Sequence, residues 1–242
     1  MSEKQPQPIH QSQVAQDFDA LTEDYEDKIN DVLAFGGLEH QFYIDVKRDR
    51  LLELLQQRHG DTTKLTTLDL GCGIGAYHSG LNGKFAELHG IDVSGESVAA
   101  AARLHPEVVY ASYDGDRLPY PDGQFDAVFT ICVMHHVPPA GWETFVAEIY
   151  RTLRPGGTIL VFEHNPYNPA TQYIVRTCVI DKDAVLLKPF HLRRMFRDQG
   201  FVDVTTRTIL SVPPIGALLT TFDRAMGWLP FGAQYYLSAT KP

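Results

Sequence analysis

Past Gly60, apolar residues fall into short runs separated by stretches with helical periodicity. The runs that read as strands are 65–70, 87–92, 108–112, 125–132, 158–163, 202–209 and 235–240. A run such as Ala127-Val128-Phe129-Thr130-Ile131 is apolar on both faces, as an interior strand of a parallel sheet must be. Between the earlier runs lie segments long enough for helices, 75–81, 97–104 and 141–153. Strand and helix in alternation predict right-handed crossovers and a mostly parallel α/β sheet covered on both faces. Ahead of it the pattern is helical from 14 to about 57, with Phe18, Leu21 and Tyr25 at i, i+3 and i+7. A Gly36-Gly37 pair interrupts this pattern, which resumes over 42–55. Residues 1–12, polar and rich in Gln and Pro, read as a disordered leader. Segment 212–232, with Pro213-Pro214 and the apolar stretch 215–222, reads as a loop-plus-helix excursion. It can pack on the domain, cap a site, touch a membrane surface or form a homodimer face. The expected organisation is thus a leader at 1–12, a helical segment at 13–60 and one α/β domain at 61–242.

Composition narrows the partners. With a formal net charge of -9 and 21% charged residues, no nucleic-acid partner is expected, since such binders rely on a basic face. Short basic patches such as Lys47-Arg48-Asp49-Arg50 read as solvated helix faces. Cys72, Cys132 and Cys178 are too widely spaced for a zinc motif, and an odd count suits a reducing compartment. The first residues carry no apolar signal core, and no stretch approaches the ~20 apolar residues of a membrane span. A cytoplasmic protein without integral membrane association is expected. No His/Asp/Glu grouping has ligand spacing, so no metal is expected.

The sharpest motif is Leu68-Asp69-Leu70-Gly71-Cys72-Gly73-Ile74-Gly75, after a strand and before a helix. Glycines there allow a tight turn and let a ligand lie against bare backbone. Alone, Gly-x-Gly fits any Rossmann-like nucleotide site, including a nicotinamide oxidoreductase. Acidic neighbours separate the cases: Asp69 precedes the loop and Asp92 ends the next strand. A pyrophosphate favours helix-end amides without an adjacent carboxylate, whereas carboxylates suit a cationic ligand and a ribose diol.

These features resemble the class I S-adenosylmethionine-dependent methyltransferases, in particular the small-molecule type 11 branch. Ile91-Asp92-Val93-Ser94 is similar to the family's ribose-binding acidic end. Asp114-Gly115-Asp116-Arg117-Leu118-Pro119, with Pro121-Asp122-Gly123-Gln124-Phe125-Asp126, resembles its adenine-side motif and the entry to the fourth strand. Leu153-Arg154-Pro155-Gly156-Gly157-Thr158 resembles the turn into the fifth. The match spans about residues 62–165. Glu163-His164-Asn165-Pro166-Tyr167-Asn168-Pro169 resembles a turn shared by a small subgroup of that branch.

The resemblance implies a Rossmann-like, doubly wound seven-stranded sheet with an antiparallel last strand, and a lid formed by the helical segment 13–60. It implies S-adenosylmethionine as cofactor, S-adenosylhomocysteine as product and a small-molecule acceptor methylated on O, N or C. Gly71 and Gly73 would pass the methionine portion close to the backbone, with Cys72 between them. Asp69 would orient its ammonium, Asp92 and Val93 would meet the ribose, Asp114 and Gly115 the adenine, and Ile131 and Cys132 would line the cofactor. A base is needed where the acceptor carries a proton to lose, and histidine suits that near neutral pH. The candidates are His135 and His136, with Glu163 or His164 as partner or substrate contact. Arg176, Cys178, Asp181 and Asp183 are further candidates for the acceptor pocket. A nicotinamide oxidoreductase and a non-catalytic cofactor-binding module are the alternative functions.

Overall fold

The computed structural model describes residues 40–178, 180–181 and 183–242. The expected leader, Phe18, Leu21, Tyr25 and the Gly36-Gly37 break lie outside the described residues. The described part of the expected lid is helix α1, His40–His59. It buries Leu51 and Leu55 completely, in one apolar cluster with Ala127, Phe129, Leu160 and Phe162 of the sheet. Its C-terminal half is therefore part of the layer that covers the sheet.

The strands are β1 (Thr66–Leu70), β2 (Glu87–Asp92), β3 (Val109–Ser112), β4 (Phe125–Ile131), β5 (Leu153–His164), β6 (Val202–Ile209) and β7 (Gln234–Thr240). They form one seven-stranded sheet in the order β3-β2-β1-β4-β5-β7-β6. Strands β1 to β5 pair in parallel, and β7 runs antiparallel between β5 and β6. The chain builds outward from β1 to β3, then returns to β4 on the other side of β1. The order thus reverses between β1 and β4, where an open α/β sheet leaves a crevice beyond its strand ends. Every residue of β4 is buried, as its apolar run requires.

The connecting helices are α2 (His78–Leu81), α3 (Gly95–Leu104), α4 (Trp142–Thr152), α5 (Pro169–Thr177), α6 (Pro189–Asp198) and α7 (Gly216–Ala225). Helix α2 starts three residues later than the sequence suggests because Gly75 has φ +76, which breaks a right-handed helix. Ser94 and Asn168 start α3 and α5 as N-caps, accepting from the N–H groups of Ser97 and Thr171. On the second sheet face Phe145, Val146 and Ile149 of α4, with Leu192 and Phe196 of α6, pack with Val128, Ile159 and Val161.

The excursion at 212–232 is a loop and helix, as expected. Buried Asp223 of α7 anchors it by accepting N–H bonds from Leu210, Ser211 and Val212, at 3.2, 2.6 and 3.3 Å. Leu218, Phe222 and Trp228 face outward. Among the described residues, no helix is long and apolar enough to cross a membrane.

Candidate active site

A cavity of about 250 Å³ opens at the β1/β4 switch point. One end is the glycine loop. Gly71, at φ +83, donates its N–H to the Ile91 carbonyl, and a Cβ there would sit 2.4 Å from Val133 Cγ2. The loops after β1 and β4 therefore touch through a missing side chain. Gly73, at φ +51, donates to Asp92 Oδ2 at 2.8 Å, and a Cβ there would meet no protein atom within 4 Å. Its bare face looks into the cavity. The other oxygen of Asp92 accepts the Ser94 N–H at 2.9 Å, so the carboxylate is fixed with lone pairs to spare.

Asp69 is buried and lines the same cavity. Its Oδ2 lies 3.0 Å from His78 Nε2, whose Nδ1 is 2.5 Å from the Tyr110 hydroxyl. Burial raises the pKa of both carboxylates above the ordinary range, opposed by His78 at Asp69 and by backbone N–H groups at Asp92. Two buried carboxylates beside open backbone suit a ligand that brings positive charge and hydroxyls. A pyrophosphate would face both of them.

The other end is built by the loop after β4, the end of β5 and the loop after α5. His135 is buried, and its Nδ1 lies 2.6 Å from Glu163 Oε2; Glu163 Oε1 accepts the Met134 N–H at 2.8 Å. The Nε2 atoms of His135 and His136 each stand 3.4 Å from Asp181 Oδ1, and His164 Nε2 is 3.9 Å from Oδ2. Burial works against charging His135, but Glu163 and Asp181 outweigh it and lift its pKa well above the usual imidazole value. Burial and then the neighbouring His135 push His136 well below that value and hold His164 at about 4. Burial works against the charged form of Asp181 too, yet contact with His135 lowers its pKa below the carboxylate range.

The structure brings most of the sequence candidates together. Asp69, Gly71, Cys72, Gly73, Asp92, Val93, Ile131, Cys132, His135, His136 and His164 all line the cavity, as do Cys178 and Asp181. Glu163 does not; it stands behind His135, fully buried, and acts on the cavity only through that ring. Asp114 and Gly115 are outside the lining as well. Asp114 is exposed and accepts the Asp116 N–H at 3.0 Å, closing its own turn, while the Tyr113 side of that segment reaches the cavity. Arg176 and Asp183 are exposed and outside it.

Among the lining residues that the sequence does not single out as candidates are His40, Tyr43 and Lys47 of α1. Lys47 is buried rather than solvated, with Nζ 3.7 Å from Cys132 Sγ and over the Tyr77 ring at 5.7 Å. One turn apart on α1, these residues share a face, but nothing in the local pattern said that this face meets a cavity. Cys132 itself has φ +58, unusual for a residue with a side chain and common where a site constrains the backbone.

The turn after β5 has a divided role. Glu163 and His164 serve the cavity end, whereas Asn165 donates to the carbonyls of Pro230 and Gly232, at 2.9 and 2.7 Å. Asn168 donates to the Phe231 carbonyl at 2.7 Å. The two amides thus hold down the segment that leads into β7.

Residues 68–161 match the family model described as a methyltransferase domain. The chain is 27% identical over 201 residues to a 2-methyl-6-phytyl-1,4-hydroquinone methyltransferase of Synechocystis sp., covering 73% of this chain and 60% of that protein. It is 32% identical over 163 residues to a demethylmenaquinone methyltransferase of Beutenbergia cavernae, covering 64% of this chain and 60% of that one. The matched part is thus less than two thirds of either relative. A solved S-adenosylmethionine-dependent methyltransferase of Thermotoga maritima shares the fold, with a TM-score of 0.69 and 18% identity over 95% of this chain and 100% of that one. Residues 68–161 thus match a methyltransferase domain, and the chain is similar to class I S-adenosylmethionine-dependent methyltransferases of the type 11 branch.

Proposed function

We propose that this protein transfers a methyl group from S-adenosylmethionine to a small-molecule acceptor and releases S-adenosylhomocysteine. The observation that carries the reading is that the Asp69–Gly71–Gly73–Asp92 cradle and the polar cluster of His135, His136, His164 and Asp181 open into one cavity. When bound, S-adenosylmethionine supplies a methyl carbon activated by its sulfonium. The chain has to hold the acceptor ~3–3.5 Å from that carbon, in line with the sulfur, and exclude water. In this assignment Asp92 and Val93 hold the ribose, Asp69 the ammonium, and the Gly71–Gly73 backbone the methionine chain, beside Cys72 and Ile131. Tyr113 takes the adenine side in place of Asp114 and Gly115.

His136 is the assigned base. His135 has its Nδ1 committed to Glu163 and is nearly inaccessible, whereas the His136 side chain keeps 15% of its surface exposed. Glu163 is a positioning residue. The two relatives are named for reduced or demethylated quinones, and Val137, Phe145, Ile174 and Ile180 offer apolar walls beside the histidines. An aromatic acceptor with a protic group and an apolar body suits that combination. The helical segment 13–60 is assigned as a lid, and the outward apolar residues of 212–232 as a face for self-association. The three free thiols suit a cytoplasmic setting.

The test is S-adenosylhomocysteine release with a panel of hydroquinones and phenols. Wild type should turn over at least one of them. His136→Ala should lower kcat by about 10²–10⁴-fold while leaving the affinity for S-adenosylhomocysteine unchanged. Unaltered turnover in His136→Ala removes the base assignment, and no product with any acceptor contradicts the wider reading.

A further inference from the structure

The cluster at the acceptor end has a spacing that direct hydrogen bonding does not explain. Good N···O hydrogen bonds lie at about 2.7–3.2 Å, yet His135 Nε2 and His136 Nε2 both stop 3.4 Å from the same oxygen of Asp181. One candidate ligand atom from each of the three residues can be chosen so that all lie within 4.8 Å of one another. A tetrahedral ion with bonds of about 2.0–2.2 Å sets its ligand atoms roughly 3.3–3.6 Å apart. The two 3.4 Å separations from Asp181 Oδ1 fall in that range.

A second, independent observation is the state of His135. Its Nε2 is buried and makes no hydrogen bond among the described residues. Its Nδ1 faces the Glu163 carboxylate, an acceptor, so one ring proton belongs on Nδ1 and Nε2 is the atom aimed at Asp181 and the cluster. Both Glu163 oxygens are engaged, which locks the ring orientation. A carboxylate behind a histidine is the usual outer support of a metal-ligating imidazole. The Val185 N–H donates to the His135 carbonyl at 2.8 Å, which fastens the segment after Asp181 to the histidine loop.

We propose that His135, His136 and Asp181, with His164 in reach, bind one divalent transition-metal ion of the Zn²⁺ kind at the acceptor end of the cavity. Two or three imidazoles with one carboxylate favour that class over Mg²⁺ or Ca²⁺, which prefer oxygen ligands. Three protein ligands leave a position open towards the cavity, where an acceptor oxygen can coordinate. In the loaded protein His136 is a ligand, and the ion rather than His136 would acidify the acceptor hydroxyl. Only this use of the ion rests on the methyl-transfer reading; its binding does not. No spacing along the chain signals this site, because the ligands sit on two loops that only the fold brings together.

The test is metal binding by the full chain. After treatment with EDTA, wild type should take up one Zn²⁺ per chain by calorimetry. Co²⁺ should give the intense visible bands of a four-coordinate site, and its X-ray absorption should show at least two imidazoles. His136→Ala and Asp181→Asn should weaken uptake at least tenfold, and Glu163→Gln about 10–100-fold. Retained S-adenosylhomocysteine binding would show that each variant keeps its cavity. Absence of stoichiometric uptake by wild type, a Co²⁺ spectrum without imidazole ligands, or uptake undiminished in both His136→Ala and Asp181→Asn overturns the proposal. Wild type that binds Zn²⁺ but not S-adenosylhomocysteine supports this site and contradicts the methyl-transfer reading.

Discussion

Gly71 and Gly73 sit two residues apart in one loop and serve different ends. At Gly71 the positive φ and the 2.4 Å approach to Val133 both forbid a side chain, so Gly71→Ala should push the β1 and β4 loops apart. A loss of about 1–3 kcal/mol in urea unfolding is expected from the overpacking. At Gly73 a methyl group meets no protein atom. Gly73→Ala should lose less stability, about 1–2 kcal/mol from the left-handed backbone, and more affinity for S-adenosylhomocysteine, because the methyl occupies ligand space. Calorimetry and melting of the pair should show opposite rankings; equal effects would remove the distinction. His78→Ala should cost about 1–3 kcal/mol by stripping the buried Asp69 carboxylate of its partner. Asp69 and Asp92 were legible because strand ends beside a glycine turn have only one direction in which to point. His78 was not, since its contact depends on where Gly75 lets α2 begin. Glu163 was legible as a partner of the histidines or a substrate contact, but the strand pattern does not say which ring stands between it and the cavity.

Among the elements, the strands were the most legible, because buried parallel strands leave continuous apolar runs. Strand β5 extends further than its run, since Leu153 pairs with Phe125 across a shift of register that apolar periodicity cannot signal. Helices α5 and α6 went unassigned, although Pro169 and Pro189 stand where a first-turn proline belongs. Helix α1, within the expected lid segment 13–60, lays its buried leucines on the sheet. Leu55→Ala should therefore cost about 2–5 kcal/mol, as a fully buried leucine does. Deletion of residues 1–30 tests the lid assignment separately: catalysis should fall sharply while the thermal midpoint shifts little. A truncated chain with full activity would refute it.

At the level of the whole molecule, the fold supplies a crevice and the side chains around it supply the chemistry. In the proposed reading, the switch point and the acidic cradle put the cofactor's ammonium at Asp69 and its ribose at Asp92. The acceptor cluster was only half visible in the sequence, because Asp181 enters from a loop far along the chain and joins histidines that precede it. The most direct measurement of the central claim is calorimetric titration of S-adenosylhomocysteine, with NAD as the comparison ligand, into wild type and Asp92→Ala. Wild type should bind S-adenosylhomocysteine at one site with micromolar or tighter affinity, weakened at least tenfold by Asp92→Ala, and should not bind NAD. Wild type that ignores S-adenosylhomocysteine, or binds it equally well without Asp92, would contradict the account.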